Sequence, residues 1–203
     1  MTELIYEVIR QGGYFGIFVL MALENIVPPI PSELIMGLGG LAVARNDMAF
    51  LPVLVWGTAG ATLGNYVLFL IAHRMGYERL EPVVERWGRW LTLEWHDIER
   101  SSRFLRHHGH WVVLVFRFMP MFRTLISIPA GLAHMGHVRF LVFTFVGAGV
   151  WNLALVAGGA WLGKTFKDAE QWLSWATVAM IVAAGIWYVW RVATWNRADT
   201  AED

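Results

Sequence analysis

The chain has 203 residues, of which 57% are hydrophobic and only 16% are charged. A soluble domain of this length has too little interior to bury so much apolar surface, so the composition excludes an ordinary soluble protein. The formal net charge of +0 excludes a general nucleic-acid binder, and the absence of cysteine excludes disulfides and thiolate metal sites.

The N-terminal residues lack the pattern of a signal peptide. Glu3 and Glu7 precede Arg10, so the positively charged n-region is missing, and no small-residue cleavage site follows. We therefore expect this segment to remain in the protein.

Residues 14–44 are predicted to form a re-entrant helical hairpin. Its two apolar arms, residues 14–27 and 34–44, each have about 11–14 residues and are roughly 16–21 Å long, too short to cross ~30 Å of hydrocarbon. The prolines within residues 28–31 cannot donate backbone hydrogen bonds and disfavour helix in the residue before them. We expect this broken tip at mid-membrane, where protein or a water-filled cavity must shield it.

Residues 50–72 are predicted to be the first full span. The polar, arginine-rich residues 74–110 follow, and apolar residues recur among them at helical spacing. This pattern is typical of amphipathic helices that lie in the membrane interface. The residues that carry it are Trp87, Leu91, Trp95, Ile98 and Leu105.

The second half of the chain repeats this order of elements. Residues 111–135, broken around Pro120, are predicted to form a second re-entrant hairpin, and residues 140–162 a second full span. Residues 171–190 are predicted to form a third, C-terminal span.

The predicted fold is one all-α integral membrane domain over residues 1–203, with repeats at residues 14–73 and 111–163. Each predicted hairpin ends in Gly-Leu-Ala. Each predicted span contains an Asn, and the interval from this Asn to a following Gly is the same in both halves. Interrupted apolar segments in corresponding places indicate a transporter's site near the bilayer midplane. The Asn and Gly pairs are Asn65 with Gly76 and Asn152 with Gly163.

The distribution of arginine predicts the orientation of the chain. Arginines are concentrated between the first span and the second hairpin, and further ones follow residue 190. Placing both regions in the cytoplasm satisfies the positive-inside rule, which puts the C-terminus in the cytoplasm. With re-entrant hairpins the two halves are then inverted relative to each other, while the side of the N-terminus stays open.

Four ionisable residues lie within the predicted hairpins, Glu24 and Glu33 in the first and Arg117 and Arg123 in the second. A charge at the bilayer centre costs at least ~2.5–3.5 kcal/mol, so these residues should face one another, water or a ligand. One interpretation is two structural ion pairs that hold the hairpins together. The other is a functional site, which is the default for intramembrane charge.

Helix ends suggest different roles for these residues. If Ser32 caps the second arm, Glu33 lies at a helix N-terminus, where a carboxylate is favoured. Glu24 lies near the C-terminal end of the first arm, where dipole and burial both disfavour its anion, as suits a proton carrier. Arg117 lies near a helix C-terminus, and Arg123 lies close to the following N-terminus, where backbone N–H groups could help it hold an anion. Two guanidiniums match phosphate better than carboxylate or an uncharged solute.

The second hairpin resembles a family signature. Residues 117–123 read R-F-M-P-M-F-R and are followed by Ala130-Gly131 and Met135, which resembles the R-F-x-P-x-x-R…A-G-x-x-x-M signature of the DedA family. The resemblance covers roughly residues 15–165 and includes the acidic hairpin around residues 23–33.

This resemblance implies a protein of the bacterial inner membrane that returns undecaprenyl phosphate to the cytoplasmic leaflet and depends on the proton-motive force. For some members it implies a phospholipid flippase or scramblase, for example of phosphatidylethanolamine. The family's essential acids and arginines carry over to Glu24, Glu33, Arg117 and Arg123. We expect the two arginines, Glu33 and Ser32 to bind the lipid phosphate, and the two acids to couple protons, with Glu33 pairing with an arginine when substrate is absent. A homo-oligomer is compatible with the sequence.

Other polar residues have weaker functional interpretations. Asn65 and Asn152 either line the translocation path or make hydrogen bonds between helices. The histidines within residues 107–110 could bind metal or sense pH, but interfacial histidines usually do neither. His73 and His134 could hydrate a cavity near the membrane boundary, which we do not expect.

Two other functional classes compete with transport. A membrane lipid phosphatase needs a nucleophile or a metal cluster near the phosphate, and no metal-ligand spacing occurs within the hairpins. We therefore expect no enzymatic activity, no metal and no cofactor. A purely structural membrane protein, whose intramembrane charges only support folding, is the third class.

Overall fold

The computed structural model describes residues 2–25, 31–91, 95–108, 111–117 and 122–165, together with seven single residues between 175 and 190. Every regular element within the continuous ranges is a helix, which confirms the all-α prediction. In chain order these helices are α1 (Thr2–Glu24), α2 (Ser32–Ala44), α3 (Phe50–Leu91), α4 (Trp95–His108), α5 (Trp111–Phe116), α6 (Phe122–Leu125), α7 (Ser127–Leu132) and α8 (His137–Thr165).

Among the described residues, two helices are long and apolar enough to cross a membrane. They are Phe50–Val84 within α3, with 35 residues, and α8, with 29 residues, and they include the predicted spans. α2 is also apolar but shorter. Both long helices expose large apolar side chains, as lipid-facing helices do, for example Leu51 and Leu63 on α3 and Val142 and Val150 on α8.

Two glycines with positive φ interrupt helices α1 and α3. Gly13 has φ 55° within α1, and Gly76 has φ 65° within α3. Glycine adopts such angles without the steric cost of a Cβ atom, so the chain changes direction at both points. The helix resumes beyond each break, so α1 begins at Thr2, before the predicted hairpin arm, and α3 continues past the predicted span to Leu91.

Several predicted features lie outside the described residues. They are the prolines at 28 and 29, the break around Pro120, most of the predicted span at residues 171–190, and residues 191–203.

The helices of the two halves pack crosswise. α1 packs against α3 and α5 against α8, so the first helix of each half lies on that half's own long helix. α2 packs against α8 and α7 against α3, so the helix after each break lies on the long helix of the other half. The start of α2 is thereby held beside segments of the second half.

The glycines of the two Gly-Leu-Ala sequences make corresponding contacts in this packing. Each lies so close to the opposite long helix that a Cβ atom would collide with it. In both cases the colliding atoms belong to residues four, seven and eight positions after the Asn of the opposite long helix. This Asn is Asn152 for Gly40 and Asn65 for Gly131. The colliding positions are Val156, Gly159 and Ala160 for Gly40, and Phe69, Ala72 and His73 for Gly131.

Candidate functional site

Arg123 on α6 lies between groups from the first half of the chain. Its Nη2 atom donates to Glu24 Oε1 at 2.7 Å and to Ser32 Oγ at 2.5 Å, and Glu33 Oε1 lies 3.7 Å away. The side chain of Glu24 is 8% exposed, against 25% for that of Glu33. The structure thus brings four of the predicted site residues together, and Glu24 makes the closer ion pair.

Ser32 does not cap α2. Pro31 occupies the N-cap position without a side-chain cap bond, and the Ser32 hydroxyl accepts a hydrogen bond from Arg123 instead. Glu33 still lies in the first turn of α2, where the helix dipole favours a carboxylate.

Arg117 follows the last residue of α5 and is only 2% exposed. Its Nη2 atom donates to Ser127 Oγ at 3.1 Å and to Thr144 Oγ1 at 3.0 Å, and its guanidinium lies 5.5 Å from the centroid of the Phe140 ring. These described partners are hydroxyls and a ring rather than carboxylates. Arg117 is therefore held by neutral groups, whereas Arg123 is held by acids and a hydroxyl.

A chain of buried amides and hydroxyls connects the two halves. Asn65 Nδ2 donates to Asn25 Oδ1 at 2.7 Å, and Asn65 Oδ1 accepts a hydrogen bond from Ser127 Oγ at 2.8 Å. Ser127 in turn accepts from Arg117. The amide beside Glu24 is thereby linked to the most deeply buried charge in the site.

A small polar cavity of about 20 Å³, roughly the space of one water molecule, lies among these groups. Asn152, which lines it, donates from Nδ2 to Thr58 Oγ1 at 3.2 Å. Three buried polar atoms of cavity-lining residues have no hydrogen-bond partner among the described residues, and they are Glu24 Oε2, Arg117 Nε and Trp151 Nε1. The other lining residues are Asn25, Ala61, Asn65, Arg123 and Ala148.

Both predicted asparagines therefore line the cavity and bond to neighbouring groups, so the two interpretations of Asn65 and Asn152 are compatible. Ser127, Thr144 and Trp151 were not predicted from the sequence. Thr144 and Trp151 are seven residues apart on α8, a spacing that places both on one face of a helix and could have indicated their shared role.

Histidines cluster away from this cavity. The ring of His73 lies 4.9 Å from those of His134 and His137, and Tyr66 Oη lies 3.1 Å from His137 Nδ1. Within the described part of the chain no group of three or more His, Cys, Asp or Glu residues could hold a metal ion. His107 is exposed, whereas His110 lies outside the described residues.

Comparison with known proteins identifies the family. The model of the VTT domain matches residues 27–161, which include Glu33, both arginines and the two long apolar helices up to residue 161, while Glu24 lies just before the match. The chain belongs to the VTT-domain, or DedA, family. The family resemblance of the arginine signature is thereby confirmed.

Relatives of the chain carry names of different kinds. An "Alkaline phosphatase-like protein" of Lactococcus lactis subsp. lactis is 36% identical over 93% of this chain and 89% of the relative. "Undecaprenyl phosphate transporter A" of Staphylococcus aureus is 34% identical over 83% and 81%. "Inner membrane protein YqjA" of Escherichia coli K12 is 30% identical over 79% and 74%. No solved structure matches the chain.

Proposed function

We propose that this VTT-domain protein transports a lipid phosphate, with undecaprenyl phosphate as its substrate, across the bacterial inner membrane. The observation that carries the proposal is Arg123, a largely buried cation held by Glu24 and Ser32 beside a polar cavity. The names of the Staphylococcus aureus and Escherichia coli relatives support the substrate and the location. Arg117 and Arg123 bind the phosphate, and Ser32 and Glu33 complete its surroundings.

The proposed mechanism exchanges one anion for another at Arg123. While substrate is absent, Glu24 takes the pairing with Arg123 that the sequence prediction gave to Glu33, because it makes the closer contact and a buried guanidinium needs an anionic or strongly polar partner. Protonation of Glu24 removes its charge and releases Arg123 and Ser32 to the phosphate of the lipid. The lipid tail stays in the bilayer while the head group crosses, and the proton carried by Glu24 couples transport to the proton gradient.

The proposed topology is two inverted halves, each a re-entrant hairpin followed by a span. Crosswise packing of α2 on α8 and of α7 on α3 supports this internal symmetry. A hydrogen bond from the Ala49 amide to Tyr14 Oη, 2.9 Å long, ties the predicted start of the first hairpin to the turn after its end. Such closure is expected when a hairpin enters and leaves on the same side. The arginine-rich residues 74–110 and the C-terminus are cytoplasmic in this proposal.

A phospholipid such as phosphatidylethanolamine is the alternative substrate. The observation that favours it is the second acid, because Glu33 lies 3.7 Å from Arg123 and is the more exposed carboxylate. A zwitterionic head group would place its phosphate on Arg123 and its ammonium on Glu33. A lipid phosphatase is suggested only by the name of the Lactococcus lactis relative.

Transport by purified protein in liposomes tests the proposal. Arg123→Gln and Arg117→Gln should each slow undecaprenyl phosphate translocation by about tenfold or more, because each removes a charge-assisted hydrogen bond to phosphate. Arg103→Gln is the matched control, since Arg103 is exposed and pairs only with Glu99 among the contacts described for it. Its rate should equal that of the unaltered protein.

The outcomes separate the candidates. An unchanged rate in Arg123→Gln would refute phosphate binding by this residue. Faster movement of phosphatidylethanolamine than of undecaprenyl phosphate would favour the phospholipid alternative. Release of inorganic phosphate during the assay would favour a phosphatase.

A further inference from the structure

Trp151 is a residue of the cavity that neither charge nor the family signature identifies. It lies on α8, seven residues after Thr144, and so on the same helix face. Thr144 binds Arg117, and the ring of Trp151 lies 5.9 Å from the guanidinium carbon of Arg123. One face of α8 therefore contacts both arginines of the site.

The hydrogen-bonding capacity of Trp151 is unused within the described protein. Its Nε1 atom is buried and has no partner there, although a buried indole N–H normally finds one. Arg117 Nε is a second buried donor that has no hydrogen-bond partner among the described residues. An indole N–H and a guanidinium N–H can only donate, so a group that satisfies both must present hydrogen-bond acceptors, as phosphate oxygens do.

The corresponding position in the first half contains no such donor. Trp151 directly precedes Asn152, as Gly64 directly precedes Asn65. A Cβ atom on Gly64 would collide with the backbone of Ala22, so this glycine permits close packing of α1. At this position the first half thus has a glycine that lets two helices pack closely. The second half has Trp151 there instead, a large side chain that places an N–H group beside Arg123.

We propose that the indole N–H of Trp151 is a third donor to the substrate phosphate, together with Arg117 and Arg123. This inference rests on the proposed function. The phosphate oxygens would satisfy Trp151 Nε1 and Arg117 Nε, which an ammonium group cannot do. The cavity of about 20 Å³ is too small for a phosphate group, so the site enlarges when Glu24 leaves Arg123. The aromatic ring of Trp151 positions Arg123, and its N–H binds the ligand.

A binding experiment on the purified full chain in detergent tests this role. The probes are farnesyl phosphate and farnesol, which share an isoprenoid tail and differ in the phosphate. Trp151→Phe keeps a ring beside Arg123 and removes the N–H, so the Kd for farnesyl phosphate should rise about tenfold. The Kd for farnesol should stay unchanged. Trp161→Phe, an exposed position on the same helix, should alter neither Kd.

A second replacement distinguishes lost packing from a lost donor. Substitution of Trp151 by 3-benzothienylalanine keeps the bicyclic ring and replaces N–H by sulfur, and it should produce the same selective loss even if Trp151→Phe folds poorly. Equal weakening of both probes, or of neither, overturns the inference.

Farnesyl phosphate binding by Arg123→Gln distinguishes failure of the Trp151 role from failure of the proposed function. If Arg123→Gln weakens farnesyl phosphate binding while both Trp151 replacements leave it intact, the third donor is refuted and the phosphate site stands. If none of these replacements weakens binding, both proposals fail.

Discussion

At the scale of single residues, the two arginines of the signature differ in how their charges are stabilised. Arg117 is 2% exposed and donates to Ser127 and Thr144, so its position is fixed by neutral partners. Arg123 is 17% exposed, and its partners include a carboxylate. In the proposed mechanism Arg117, whose described partners are neutral, binds an anion directly, whereas Arg123 first exchanges Glu24 for its ligand.

Glu24→Gln tests the proposed division between the two acids. Glu24 is the more buried acid and makes the closer contact with Arg123, so a change in its charge has the larger effect on that arginine. In Glu24→Gln, transport into liposomes should lose its dependence on external pH while expression stays normal. Glu33→Gln is the matched control and should retain that dependence. Persistent pH dependence in Glu24→Gln would rule out Glu24 as the proton carrier.

Charged candidate residues are easier to predict from the sequence than their neutral partners. Intramembrane charge is so costly that Glu24, Glu33, Arg117 and Arg123 could be identified from their positions within apolar segments. Ser127 and Thr144 could not, because hydroxyls are common in membrane helices and their role depends on which helix packs beside them. That pairing is set by crosswise contacts between the two halves.

At the scale of helices, close glycine contacts determine which elements meet. Gly40 on α2 and Gly131 on α7 each approach the backbone of a long helix from the other half. Small residues allow such approach in membranes, where apolar burial alone gives helices no reason to associate. The two contacts thus hold together the helices that carry the site.

Gly40→Ala and Gly131→Ala should each destabilise the protein by about 1–3 kcal/mol, because the added Cβ atom meets backbone that cannot move freely. Gly158→Ala is the matched control on α8, where a Cβ atom would have no neighbour within 4 Å. It should be neutral or stabilising by up to about 1 kcal/mol, through helix propensity. Denaturant unfolding in detergent measures the free energy of unfolding, and equal stability of all three variants would contradict this account of the packing.

Apolar runs located α2 and α8 but do not show the full lengths of α1 and α3. The apolar hairpin arm was predicted to begin at residue 14 and the apolar span to end at residue 72. Both limits fall near a glycine with positive φ, Gly13 or Gly76, beyond which polar helix continues. Hydropathy detects where a chain leaves the apolar region, whereas a helix with polar residues can continue past that point.

At the scale of the whole molecule, the two proposed halves make corresponding contacts but contribute different charges to the candidate site. The Gly-Leu-Ala contacts correspond position by position, and Asn65 and Asn152 both line the cavity. Described acids come from the first half and both arginines come from the second. In the proposed topology of two inverted halves, these corresponding contacts form the framework, and the difference between the halves gives the site its opposed charges.

The proposed topology has a direct test in a chain without cysteine. Gly12 precedes the first predicted hairpin, Asp47 follows it, and Asp97 lies on α4 in the arginine-rich segment; all three are exposed. If the hairpin is re-entrant, Gly12→Cys and Asp47→Cys should react with a membrane-impermeant maleimide from the same side. Asp97→Cys should react only from the other side, since the span within α3 lies between it and Asp47.

Labelling of bacterial spheroplasts before and after permeabilisation measures these sides. Asp47→Cys should be labelled in intact spheroplasts and Asp97→Cys only after permeabilisation, because the arginines around Asp97 favour the cytoplasm. Labelling of Gly12→Cys and Asp47→Cys from opposite sides would instead mean that the first hairpin crosses the membrane. The halves would then no longer be inverted, and the meeting of Glu24 with Arg123 would need a different membrane arrangement.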